Sequence, residues 1–188
     1  MAFSSQASSA RSTRHKLFES YYHRDDQIYR DQFEEAFGGL FVIKSVQPGD
    51  IDPDSSTEYI KALIQRDFID DASVVVVLVG PNTKCRKHVD WEVSAGLNRK
   101  VGGYSGLLGI LLPTFPLNAE NNYYRSDLPV RLDANVASGY ALVYRWDWIT
   151  ASAVNLRAAI DAAFERRRTE VDKIVNASIP QMQRNSCD

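Results

Sequence analysis

The chain of 188 residues has only two cysteines, Cys85 and Cys187, too few for a disulfide framework. With so little sulfur, a reducing cytoplasm is the expected setting, and the Asn176-Ala177-Ser178 sequon is then accidental. Neither sign of charge dominates: 22 Lys and Arg stand against 24 Asp and Glu, for a formal net charge of -2. That balance excludes a global basic field for nucleic acid or anionic membrane. No apolar run approaches the length of a membrane span. The opening MAFSSQASSARSTRHK has no apolar core and is not a secretory signal, so residues 1–14 are expected to form a disordered arm. No G-x-x-x-x-G-K-[ST] phosphate loop occurs. VGGYSGLLG is rich in glycine but precedes a strand instead of joining a strand to a helix, so it fails as a dinucleotide fingerprint. Cys85 and His88 have the spacing of a metal half-site without a second half, whereas structural zinc takes four ligands, so no metal is expected.

What is present is ordinary for a globular domain, 44% hydrophobic and 24% charged residues, arranged as alternating strand and helix signals. His15–Tyr21 reads as a first strand. Tyr29, Phe33, Ala36 and Phe37 follow at helical spacing, and Gly38-Gly39 ends that helix. Leu40–Ile43 is a short second strand. After the polar SVQPGDIDPDSST, Ser55 and Glu58 fit a capping box that opens a helix with Ile60, Leu63, Ile64 and Phe68 inward. Ser73–Val79 is a continuous β-branched run suited to a strand covered on both faces. A helix from Lys87 to Leu97, a strand at Gly106–Leu112, a long polar loop to Gly139, a strand at Tyr140–Trp146 and a helix from Ala151 to Val175 complete the series. The Arg166-Arg167-Arg168 run reads as a solvated helix face. Strands separated by single helices predict a single-domain, doubly wound α/β fold over residues 15–179. Its parallel five-stranded sheet has the flavodoxin-like order 2-1-3-4-5 with helices on both faces. Residues 180–188 are expected to form a flexible tail.

In that topology the ligand crevice lies at the carboxyl ends of strands one and three. Ser20–Asp26, Ser45–Thr57 and Gly80–Glu92 converge there. The strand-three end lacks the phosphoaccepting aspartate of a response regulator, and SYYHRDD lacks the hydroxyl-rich phosphate loop of a flavodoxin. Each helical residue turns the chain by about 100°. Val89, Val93, Gly96 and Leu97 therefore share a stripe facing the sheet, with Glu92 half-buried at its edge, in the helix half where the dipole favours negative charge.

Three motifs in order resemble the TIR domain, and within it the bacterial TIR-like family that includes the Thoeris antiphage proteins. Phe18-Glu19-Ser20-Tyr21 is similar to the first-strand signature F-I-S-Y, with His23 and Asp25 or Asp26 continuing its S-H-x-D tail. LVGPNTKCRKHVDWEV resembles the third strand and the following W-V-x-x-E-I helix, and LPVRLDANVASGYALVYRW the approach to the fifth strand. The resemblance implies a TIR-like fold and makes Glu92 the counterpart of the glutamate with which catalytic members cleave NAD. It also implies NAD as substrate with no separate cofactor. The ADP-ribose part would become a diffusible, cyclic ADP-ribose-type signal for a separate effector, after a phage-derived trigger and with self-association. Ser20, Tyr21, Tyr22, His23, Asp50, Asn82 and His88 are the candidate substrate-binding residues; of the aromatics that could stack on the rings, Phe18, Tyr21, Tyr22 and Trp91, all but Tyr22 are expected to pack in the core instead. Two departures stand out. His88 occupies the family's tryptophan position, where it could stack or donate a hydrogen bond. Glu19 replaces an apolar residue, facing solvent or the site. The alternatives to an enzyme are a non-catalytic assembly module using the SVQPGDIDPDSST loop, or a nucleotide sensor.

Overall fold

The computed structural model describes residues 14–187, except 48, 51 and 53. The first arm, apart from Arg14, therefore lies outside the described residues. The centre of the fold is β3 (Val74–Val79), six residues buried on both faces. Its neighbours are β1 (Lys16–Ser20) on one side and β4 (Gly106–Leu111) on the other. The edges are β2 (Val42–Lys44) and β5 (Leu142–Arg145), so the five-stranded sheet runs 2-1-3-4-5 as expected. Every pairing is parallel, with Leu17 opposite Val74, Val74 opposite Gly106 and Leu108 opposite Leu142.

Alternation along each strand divides the core in two. Leu17, Val74, Val76, Leu108 and Ile110 face one side, where α1 (His23–Phe37) supplies Phe33 and Phe37. On the same side α6 (Ala153–Thr169) supplies Leu156, Ile160 and Ala163. Phe18, Val75, Val77, Val79 and Leu107 face the other side. There α2 (Thr57–Leu63) supplies Ile60, and α3 (Lys87–Gly96) supplies Val89, Trp91 and Val93. Each large apolar side chain fully removed from water contributes about 1.5–3 kcal/mol, so neither helical layer is dispensable.

The structure departs from the sequence reading in several places. The cap of α2 is Ser56, which accepts from Tyr59 N at 3.2 Å, one residue beyond the expected Ser55. The inward residues Ile64 and Phe68 lie in a wider π-helical turn, Ile64–Ile69, that continues α2. The expected loop before Gly139 contains α4 (Val130–Ser138), closed by Gly139 at φ 86°. Its inward face is mixed: Leu132 is apolar, but Arg131 and Asn135 are equally buried. Arg131 pairs with Asp90 at 3.0 Å and Asn135 accepts from Val175 N at 3.0 Å, which is how a polar face enters a core. An additional short helix, α5 (Trp146–Thr150), precedes the expected last helix, which is α6: Ser152 caps it and it ends at Thr169, short of the expected Val175. Arg166 reaches Gly139 O and Arg167 lies 4.0 Å over the Phe164 ring, so this run is only partly solvated.

The end of the chain differs most. Cys85 and Cys187 are bonded to each other across 102 residues, where the sequence led us to expect no disulfide framework. Local spacing cannot report a contact that only folding creates. Residues 180–187, expected to be a flexible tail, lie along α3 instead. No helix among the described residues is long and apolar enough to cross a membrane.

Candidate functional site

Beyond the carboxyl ends of β1, β2 and β3 lies a cavity of about 480 Å³. The three converging segments line it. Tyr21, Tyr22 and His23 come from the β1 end, and Val46, Gln47 and Gly49 from the β2 end. Arg86, Lys87, His88, Val89 and Glu92 come from the start of α3. Ile60 and Asn185 complete the lining.

Glu92 sits deeper than its edge position implied, at 4% exposure. Ser20, the last residue of β1, projects to the α3 side like Phe18 two residues earlier. Its hydroxyl donates to Glu92 Oε2 at 2.5 Å. Burial disfavours the charged carboxylate and raises the Glu92 pKa from 4.5 to about 8, against the smaller stabilising effect of the Ser20 hydrogen bond. With its pKa near 8, Glu92 is mainly protonated at neutral pH.

The charge at the rim comes from Arg86 and Lys87. The Arg86 guanidinium lies 4.0 Å over the Tyr22 ring, and Lys87 Nζ lies 5.1 Å over Trp91. The two histidines contribute less charge. Burial lowers the pKa of His23, with Arg30 adding to the effect, and burial followed by Lys87 lowers that of His88. His88 stacks on Trp91 at 5.1 Å and still borders the cavity. The site thus combines aromatic faces, two cations, neutral imidazoles and one buried carboxyl.

Of the substrate-binding candidates, Tyr21, Tyr22, His23 and His88 line the cavity, and Ser20 supports Glu92 from behind. Asp50 does not line it; its Oδ2 accepts from Gln47 N at 2.7 Å and orders the loop. Asn82 points elsewhere and donates to Asp25 Oδ2 at 2.8 Å. Phe18 and Trp91 are core residues, Trp91 with its Nε1 donating to Met182 O. Glu19 faces neither solvent nor the cavity. It is buried beside Arg30 of α1 at 3.4 Å, and desolvation raises its pKa to about 8. Cys85 has its sulfur in the bond to Cys187, which removes it as a metal ligand.

Sequence reasoning missed Arg86, Lys87, Gln47 and Asn185. The basic pair directly before the apolar stripe of α3 was a usable signal for the first two. Asn185 had none. Its Oδ1 accepts from Lys87 N at 3.1 Å across 98 residues of chain.

A parallel sheet of this order, with a buried α3 glutamate held by the end of β1, is a flavodoxin-like α/β domain with a candidate site at its switch point. Residues 18–115, just over half of the chain, match the family described as "Thoeris protein ThsB, TIR-like domain", and the chain belongs to that family. Among solved structures, the chain is similar to the TIR domains of the activated Roq1 resistosome directly recognizing the pathogen effector XopQ. That likeness has a TM-score of 0.40 and 12% identity, and covers 86% of each chain. No curated protein matches.

Proposed function

We propose that this protein is a cytoplasmic NAD-cleaving enzyme of antiphage defence, with Glu92 as its catalytic carboxylate. Membership of the Thoeris family supports the defence setting. The observation that carries the reading is Glu92 itself, a carboxyl buried at a cavity wall, aligned by Ser20 and bordered by Arg86 and Lys87. A buried carboxyl with a displaced pKa is a candidate reacting group when it also lines a cavity, as Glu92 does and the equally displaced Glu19 does not.

The chemistry follows from charge. Nicotinamide in NAD is cationic, so its entry favours loss of the Glu92 proton. When the nicotinamide–ribose bond breaks, its electron pair leaves on the ring nitrogen and nicotinamide departs neutral. Positive charge then develops on the ribose, as in glycoside hydrolysis. An ionised carboxylate fixed in a desolvated wall stabilises that charge. The Arg86 and Lys87 cations suit the diphosphate, and Tyr22 offers an aromatic face. The ADP-ribose cation is then captured within the same molecule to give a cyclic ADP-ribose-type signal, which activates a separate effector. A phage-derived trigger and self-association control the reaction.

The test is incubation of purified protein with NAD, with and without lysate from infected cells, reading nicotinamide and nucleotide products by chromatography and mass spectrometry. Release that Glu92→Gln abolishes is the expected result, and the product mass separates cyclisation from hydrolysis. Folded protein that releases nothing under either condition refutes the enzyme and leaves an assembly or sensor module.

A further inference from the structure

The final residues are attached to α3 in two different ways. As far as Met182 the attachment is dense. Gln181 Nε2 donates to Ser94 Oγ at 3.0 Å, Met182 N to Asp90 Oδ2 at 2.9 Å, and Trp91 Nε1 to Met182 O at 2.8 Å. Arg131 adds bonds to the carbonyls of Asn176 and Ile179 at 2.8 and 3.1 Å. Beyond Met182, among the described residues, the links to the body of the fold run through the start of α3 and Cys85 just before it. Lys87 N donates to Asn185 Oδ1 and Ser186 N to Cys85 O, both at 3.1 Å, and Cys187 is bonded to Cys85. The conformational entropy of ordering residues 183–187 opposes these contacts, and the covalent bond fixes the far end of the tip to Cys85, just before α3.

The tip carries Asn185 into the cavity wall. With Oδ1 engaged by the Lys87 amide, the Nδ2 group of Asn185 is left to donate to a substrate oxygen. We propose that Asn185 is a substrate-positioning residue of this cavity, held there by the Cys85–Cys187 bond, and that reduction of the bond releases the tip and weakens substrate binding. This rests on the reading of the cavity as an NAD site.

The two sulfurs differ in access. Cys85 is fully buried and Cys187 is exposed, so a reductant meets Cys187. One thiolate of a dithiol attacks Cys187 Sγ. The electron pair of the sulfur–sulfur bond leaves on Cys85 Sγ, which takes a proton. The second thiolate of the dithiol then attacks its own partner sulfur in the mixed disulfide, and Cys187 leaves as a thiolate that is protonated in turn. The protein gains two electrons and two protons, and the dithiol becomes a disulfide. The contacts up to Met182 do not involve sulfur, so the rest of α3 and its strap stay folded.

The experiment uses the whole chain, with dithiothreitol as reductant and Cys187→Ser and Asn185→Ala as variants. Alkylation without reduction should leave both cysteines unlabelled. Peptide hydrogen exchange should rise in residues 183–187 on reduction and stay unchanged in 174–182. The KM for NAD should rise about tenfold at most, the scale of one hydrogen bond, with kcat within about twofold. Reduction should add nothing to either variant, and Asn185→Gln should recover part of the binding. Calorimetry of NAD with Glu92→Gln protein supplies affinity without turnover. Labelled cysteines in the unreduced protein, or exchange in the tip unaffected by reduction, overturn the lock. A normal KM in Asn185→Ala, with Glu92-dependent cleavage intact, overturns the positioning role alone. If NAD is neither cleaved nor bound by any form, the NAD reading fails and takes the positioning role with it, while exchange still decides the lock.

Discussion

The buried carboxyl of Glu92 makes the folded protein sensitive to pH in a calculable way. Its pKa rises from 4.5 to about 8 on folding, chiefly because burial strips water from the charged form. Between those values the folded state holds a proton that the unfolded chain has lost. Stability from this group is therefore fully present below about pH 4.5 and falls as pH rises, levelling off above about pH 8. At 1.36 kcal/mol per pH unit, the loss is about 3 kcal/mol by pH 7 and about 5 kcal/mol at the alkaline limit. Glu92→Gln removes the ionisation while keeping an oxygen to accept from Ser20. Urea unfolding of both proteins at pH 5, 6, 7 and 8 measures the difference. The variant should be close to wild type at pH 5 and more stable by about 3 kcal/mol at pH 7. Glu19, whose pKa is also raised to about 8, acts in the same window, but it is common to both proteins and cancels. Stability profiles that stay parallel from pH 5 to 8 would refute the buried, displaced carboxyl.

Further consequences concern the rate and the surrounding frame. On the proposed reading the free protein loses the Glu92 proton before it stabilises a ribose cation, so kcat/KM should climb with pH and level off near pH 8; a flat profile from pH 6 to 9 would count against that role. Arg131→Met leaves the Asp90 carboxylate buried without its partner and should cost about 3–5 kcal/mol in urea unfolding, with Asp90→Asn in the same chain recovering part. A loss under about 1 kcal/mol would mean that the pair does not anchor α4. Gly80→Ala would drive a methyl group into the Asp26 carboxyl and should destabilise by about 1–3 kcal/mol; an unchanged unfolding midpoint would show that α1 can shift away.

Most of the architecture was legible because it rests on local pattern. The valine-rich Ser73–Val79 run suits a strand covered on both faces, and β3 is that strand. Alternating strand and helix signals are enough to order a parallel sheet, since crossover connections leave few choices. Glu92 was legible for a related reason: helical periodicity placed it next to the sheet-facing stripe, and the motif around it pointed to one residue. The failures share another cause. Helix α4 stayed hidden because its inward face carries Arg131 and Asn135, and a polar residue reads as a core residue only once its partners are known. The end of the chain misled for the same reason, because the partners of Gln181, Met182 and Cys187 lie on α3 or just before it, far away in sequence. By itself, then, the sequence determined the sheet, its order and the helix that bears the glutamate, all of which follow from hydrophobic burial at short range. Only the tertiary structure decided how deep Glu92 lies, which cations border it and that Asn185 closes the wall, because desolvation and long-range pairing exist only after the chain has folded.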